Sequence, residues 1–195
     1  VWVTYAGTLG ASYDVATLVR ATALLEQERL ARTGAPVGPA GQAIPPVRVK
    51  VLGDGPDREK LQALAAEVNA PADFLGYQDY AHMAAYLCAS DIVVNSLVKS
   101  AAQSIVTKIG DYLASGKPMI NTGSSPEFRS KVSADGFGVN VEAENPRALA
   151  DEIAKLAGHA SLRKIMGAKG RAVAEREFDQ PRSYRAIVDL LRTLL

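Results

Sequence analysis

Short runs of apolar and β-branched residues recur along this chain, each breaking at a glycine or a small polar turn and each followed by helical spacing, and that alternation leaves few folds open. Val1 to Ala6, Val47 to Leu52, Phe74-Leu75, Ile92 to Val94, Met119-Ile120 and Gly136 to Val141 read as strands. After the first of them, Val15, Leu18, Val19, Thr22 and Leu25 fall at three- and four-residue spacing, as on one face of a helix that Asp14 or Ser12 can cap. Pro56 suits the first turn of a second helix ending near Asn69, and further helices are expected over Tyr80 to Ala89, over Ser104 to Ala114 and from Ser125-Pro126-Glu127. Gly116-Lys117-Pro118 stops one of these and starts the next strand. Three helical segments close the chain, about Pro146 to Leu156, Ser161 to Arg176 and Pro181 to Leu194, while Thr33 to Pro46, rich in glycine and proline, reads as a mobile surface loop. Strand and helix in alternation predict an α/β fold with a parallel sheet and helices on both faces.

The chain has 195 residues, enough for one domain that buries a core without staples. Its single cysteine, Cys88, cannot form an intramolecular disulfide, which fits a reducing, cytoplasmic setting. With 22 Lys and Arg against 21 Asp and Glu, the net charge of +1 argues against nucleic acid as a general partner. No apolar run is long enough to span a bilayer and no signal-peptide pattern is present. Because Val1 to Ala6 already reads as a strand, the chain is expected to begin partway through a longer protein.

In a parallel sheet of this kind, ligands sit beyond the carboxyl ends of the strands. The turn Gly7-Thr8-Leu9-Gly10 lets backbone N–H groups approach a phosphate, yet it lacks the third glycine of the dinucleotide fingerprint and reads equally well as a tight structural loop. Gly53-Asp54-Gly55-Pro56 carries the same two readings. At Gly76-Tyr77 the turn offers backbone groups to a planar base, or a half-buried packing tyrosine. A helix beginning near Ser104 would point the N–H groups of Ile105, Val106 and Thr107 at an anion, with Ser104, Lys108 and Asp111 along one face. A polar face on an otherwise apolar helix meets either a ligand or its own partners, here a Lys108–Asp111 ion pair, and the ligand reading is favoured.

Other attractive residues read as structural. His82 and His159 lack ligand spacing, so no metal site is expected. Cys88, on an apolar helix face, is expected to be an inert core residue, and Ser125 before Pro126 a helix cap rather than a nucleophile. Arg163, Lys164, Lys169, Arg171 and Arg176, interleaved with Glu175 and Glu177, describe a solvated helix pair.

Several ordered stretches together carry a resemblance: Tyr5-Ala6-Gly7-Thr8-Leu9, Leu52 to Pro56 with Leu61, Phe74-Leu75-Gly76-Tyr77, Ala89 to Ser96, Lys108 with Asp111 to Pro118, and Phe178 before a final helix. In this order they resemble the carboxyl-terminal, donor-binding domain of the retaining GT-B glycosyltransferases of family 4, group 1, a large family that includes sucrose synthases, phosphatidylinositol mannosyltransferases and bacterial polysaccharide enzymes. The resemblance runs nearly end to end and implies a Rossmann-like domain over residues 1–195, with 177–195 a closing carboxyl-terminal helix and an amino-terminal acceptor domain absent from this chain.

It further implies a nucleotide-diphosphate sugar as substrate and a glycan or glycolipid as acceptor, with no metal or other cofactor. A cytoplasmic location follows, peripheral at the inner membrane face through the absent domain. The glycine turns (Gly7, Thr8, Leu9; Gly53, Gly55; Gly76, Tyr77) and Ser104, Ile105, Val106 and Thr107 would bind the donor nucleotide sugar. The catalytic set would be Gln103, Lys108 and Asp111. Gln103 and Asp111 stand where the family's paired glutamates contact sugar and ribose. Thr8 and, by approximate alignment, Tyr13 replace the family's diphosphate-binding Arg and Lys, so Lys108 or Lys99 would have to supply that charge. A non-catalytic relative serving as a binding or assembly module, or a GT-B sugar-nucleotide epimerase, is the alternative.

Overall fold

The computed structural model describes residues 1–31, 45–101 and 106–193. Its elements alternate as β1 (Trp2–Ala6), α1 (Val15–Ala31), β2 (Arg48–Leu52), α2 (Arg58–Glu67), β3 (Ala72–Gly76), α3 (Tyr80–Ala89), β4 (Ile92–Asn95), α4 (Ile109–Ala114), β5 (Met119–Asn121), α5 (Pro126–Asp135) and β6 (Gly138–Asn140), followed by α6 (Pro146–Gly158), α7 (Ala160–Glu177) and α8 (Gln180–Arg192). The strands form one six-stranded sheet in the order β3-β2-β1-β4-β5-β6, parallel at every pairing. The Rossmann-like α/β expectation therefore holds. The loop expected over Thr33 to Pro46 lies for the most part outside the described residues.

Period-two alternation assigns each strand residue to one of two cores. Val3, Tyr5, Val49, Val51, Ile92, Val94 and Ile120 face α1 and α6 on one side, whereas Ala6, Leu52, Val93 and Met119 face α4 and α7 on the other. Strands buried on both faces are apolar at nearly every position, which is why β4 is Ile92-Val93-Val94. Helix ends follow their chemistry: Asp14 Oδ1 accepts from the Thr17 N–H, and Ser125 and Asn145 cap α5 and α6 ahead of Pro126 and Pro146.

Two departures concern single residues. Cys88 is exposed rather than a core residue, because α3 is apolar around nearly its whole circumference and its composition does not mark the face that is buried. Of the basic residues read as solvated, Arg163 reaches inward, donating to the Leu156 and Ala157 carbonyls and pairing with Asp91 before β4.

At the carboxyl edge of the sheet a row of asparagines crosses three strands. Asn95 Nδ2 donates to Asn121 Oδ1 at 2.9 Å, and Asn121 Nδ2 to Asn140 Oδ1 at 2.9 Å. Side chains thus extend the backbone ladder by one rung at the rim where the loops depart.

Candidate functional site

The strand order reverses direction at β1. The chain runs from β1 out to β2 and β3, then returns to place β4 on the opposite side. Such a switch point opens a crevice between two diverging loops. β1 and β4 pair only through Val3–Ile92 and Thr4–Val93, so the Ala6 N–H lies beyond the end of their ladder. The Tyr112 hydroxyl on α4 takes its place, accepting from the Ala6 N–H at 2.8 Å and donating to the Ala6 carbonyl at 3.1 Å.

The three turns after β1, β2 and β3 are laced together. The N–H of Gly7 donates to Leu52 O at 2.9 Å, that of Leu9 to Asp54 O at 2.9 Å, and that of Gly53 to Gly76 O at 2.8 Å. Tyr5 Oη donates to the Thr8 carbonyl at 2.7 Å. Gly53, at φ 123°, and Gly55 have no room for a side chain, since a Cβ would collide with the carbonyl oxygens of Gly7 and Leu9 respectively. The result is a cleft of about 310 Å3 lined by Gly7, Thr8, Gly53, Asp54, Tyr77 and Met83, among others. Gly7, Thr8, Gly53 and Tyr77 are thus brought together, while Leu9, Gly55 and Gly76 support the cleft without being among its lining residues. Tyr77 is 80% exposed, so its ring is not a packing residue of this domain.

Lys108 departs most from expectation. α4 begins at Ile109, not near Ser104, after a turn in which the Ile109 N–H donates to Val106 O. The β-branched Val106 and Thr107 lose side-chain freedom in a helix, and Val106 packs instead against the core of α4 and α7. Val106 and Thr107 therefore do not open a helix, and a six-residue α4 does not present the anion-binding start foreseen for it. Gln103, Ser104 and Ile105 lie outside the described residues.

Lys108 caps α4 in helical conformation, its carbonyl accepting from the Tyr112 N–H at 3.0 Å, and so stands at helical spacing from Asp111, yet the two side chains form no ion pair with each other. Lys108 runs under the Gly7 turn. Its Nζ lies 4.1 Å from the ring centre of Tyr5, 4.5 Å from that of Tyr13 and 5.9 Å from that of Tyr112. A Cβ placed on Gly7 would stand 3.2 Å from it. The Lys108 Nζ is buried and has no hydrogen-bond partner among the described residues. Burial lowers its pKa from the usual 10.5 to about 7, and the same burial raises the phenols of Tyr5 and Tyr112.

Asp111 faces a second cleft, of about 390 Å3, lined also by Thr107, Tyr80, Gly110, Arg171 and Phe178. Its Oδ1 accepts from the Tyr80 hydroxyl at 3.1 Å, and this carboxylate raises the pKa of that phenol. Phe178 packs onto Gly110, beside Asp111. The sequence reading passed over Tyr80 and over Arg58, whose guanidinium lies over Gly76 and pairs with Asp54 at 3.2 Å. Tyr80 directly follows the helix-capping Asp79, a position that places it at the rim, but nothing in its local sequence announces a partner on α4. His82 and His159 make local contacts, to Asp79 and to the Lys155 carbonyl.

A sequence model of the family described as "Glycosyl transferases group 1" matches residues 3–159. The chain belongs to this family. The glycosyltransferase domain also shares its fold with HepE of Anabaena, solved in complex with UDP, at a TM-score of 0.79 and 16% identity over 98% of this chain and 48% of that one. Sucrose-phosphate synthase from Thermosynechococcus elongatus superposes at 0.78 with 21% identity, over 99% of this chain and 45% of that one. The carboxyl-terminal domain of a group 1 glycosyl transferase (LpcC) from Francisella tularensis superposes at 0.72 with 16% identity, over 92% of this chain and 86% of that one. The domain thus spans about half the length of HepE and of the synthase, and the likeness is one of GT-B fold. No curated protein matches it by sequence. No helix among the described residues is long and apolar enough to cross a membrane.

Proposed function

We infer that this domain is the donor-binding half of a retaining glycosyltransferase that moves a sugar from a nucleotide diphosphate to a glycan or lipid-linked acceptor. The observation that carries the reading is Lys108, whose buried Nζ has no hydrogen-bond partner among the described residues, beneath a glycine turn at the switch point of a parallel sheet. An anion in that place would supply the missing partner. The diphosphate would lie along Gly7 and Thr8, whose backbone approaches it closely because Gly7 carries no side chain. The exposed Tyr77 ring would meet the base and Asp111 the ribose, with Val106 and Thr107 on the connection between them.

As the glycosidic bond lengthens, negative charge builds on the leaving diphosphate, and Lys108 opposes it in place of the Arg and Lys that Thr8 and Tyr13 replace. Acceptor attack on the same sugar face then retains configuration. The acceptor would be held by a preceding domain. The exposed stripe of Tyr184, Ile187, Val188 and Leu191 on α8 supports this, as an apolar helix face left for another part of the enzyme to close upon. Neither a metal nor another cofactor is part of this proposal, and the setting is the cytoplasm, at the inner membrane face where the acceptor is a lipid.

Titration with UDP, GDP and ADP tests the reading. One nucleotide should bind saturably, with affinity falling roughly tenfold or more in Lys108→Met, the loss expected for a charge-assisted contact, and less in Asp111→Asn. A folded full-length protein that binds a nucleotide but transfers no sugar would instead mark a non-catalytic relative, the reading that the replaced Arg and Lys favour.

A further inference from the structure

We propose that Lys108 takes up a proton when a nucleotide sugar binds, so that donor binding and charging of this amine are one coupled event. The inference rests on the donor assignment above and specifies how that site recognises its anion.

The geometry around Nζ is that of an aromatic cage without an acceptor. Tyr5 of β1, Tyr13 of the loop after it and Tyr112 of α4 turn ring faces toward the nitrogen, and the Gly7 backbone roofs it. The hydroxyls of two of these rings are committed elsewhere, Tyr5 to Thr8 O and Tyr112 to Ala6. Nor does a carboxylate pair with it among the described residues. Asp14 Oδ1 caps α1, its Oδ2 having no partner among the described residues, and Asp111 Oδ1 accepts from Tyr80 of α3. Among the described residues, then, nothing but ring quadrupoles balances a charge on Lys108, and those recover only part of the hydration an ammonium gives up.

The free domain therefore holds this amine at a pKa of about 7, so that it is only about half protonated at neutral pH. A diphosphate laid on the Gly7 turn would supply what the cage lacks, a negative charge close to a nitrogen that is itself buried, and raise the proton affinity of the amine. The site thus carries only part of a buried charge at neutral pH when free and becomes fully cationic when its ligand arrives. An arginine would be charged in both states.

The test is calorimetric titration of the full-length protein with UDP-glucose, ADP-glucose and GDP-mannose, whose phosphodiester oxygens carry no proton near neutral pH. Each titration is made in two buffers of very different ionisation enthalpy. For the ligand that binds, proton uptake should approach about one per site near pH ~8.5 and vanish near pH ~6, with affinity falling up to roughly tenfold per pH unit above neutrality. Lys108→Arg and Lys108→Met should show none of this uptake. As a second readout, the 13Cε resonance of Lys108 should titrate with a midpoint of about 7 in the free protein and a higher one in the complex. Binding without proton uptake at any pH, unchanged uptake in Lys108→Arg, or a free-state midpoint in the ordinary lysine range overturns the coupling and leaves the donor assignment standing. If a folded full-length protein binds none of the three, the donor assignment itself fails and the coupling with it.

Discussion

Gly53 packs so closely on Gly7 that a single added methyl would collide with the Gly7 carbonyl oxygen. Gly53 also holds φ 123°, where a side chain is strained whatever the space. Gly53→Ala should therefore destabilise the fold by roughly 2–4 kcal/mol through clash and strain together. Gly10, whose Cβ would meet nothing closer than 3.8 Å, provides the control, and Gly10→Ala should fall within about 0.5 kcal/mol of the parent. Urea unfolding of the two variants measures both.

Tyr112→Phe should cost about 1–3 kcal/mol, because one hydroxyl answers both the N–H and the carbonyl of Ala6 beyond the end of the β1–β4 ladder. The ring stays, so packing is kept and the loss reads the hydrogen bonds. Amide exchange should quicken selectively at Ala6 and Gly7 in this variant, and uniform quickening across the sheet would assign the loss to general destabilisation instead.

Lys108 makes stability depend on pH in a defined direction. Its native pKa of about 7 lies below the ordinary 10.5, so between these values the unfolded chain binds more protons than the folded one and stability rises with pH. The slope should reach roughly 1.4 kcal/mol per pH unit inside the window and vanish below it, where both states are protonated. Lys108→Met should remove this slope and be the more stable protein at neutral pH. Urea titrations at pH ~6 to ~9.5 on parent and variant, compared as a difference, isolate the lysine from other titrating groups.

The asparagine row should behave as a network. Asn121→Ala leaves Asn95 Nδ2, Asn140 Oδ1 and the Gly123 N–H without the partner each now has. A loss of about 2–4 kcal/mol is expected, since orphaned buried polar groups cost more than a hydrogen bond contributes. Asn140→Ala, at the half-buried end of the row, should cost less. A double-mutant cycle between Asn95 and Asn140 should show coupling that disappears in the Asn121→Ala background.

The strands and most helices were legible because their signals are local. Val47 to Leu52 alternates, Gly53 and Gly55 break it, and Pro126 and Pro146 sit just inside helices that Ser125 and Asn145 cap. Two readings failed where local pattern carries no direction. α3 is apolar on nearly all sides, so nothing in it marks Cys88 as the exposed residue. The segment before Ile109 has helical spacing but β-branched side chains, and a core contact of Val106 competes with helix extension. Of the two readings left open for Tyr77, half-buried packing is the one its exposure removes.

Residue order by itself determined a parallel α/β sheet, the six strand segments, and the glycine turns on which a phosphate could rest, because periodicity and the backbone freedom of glycine act over a few neighbours. Which turns meet was decided only by tertiary structure. So was the fate of Lys108, since its surroundings come from Tyr5, Tyr13 and Tyr112, brought around one nitrogen by the β1–β4 reversal. Charge in a protein is set by desolvation and distance, and neither is a property of a residue and its immediate neighbours in the chain.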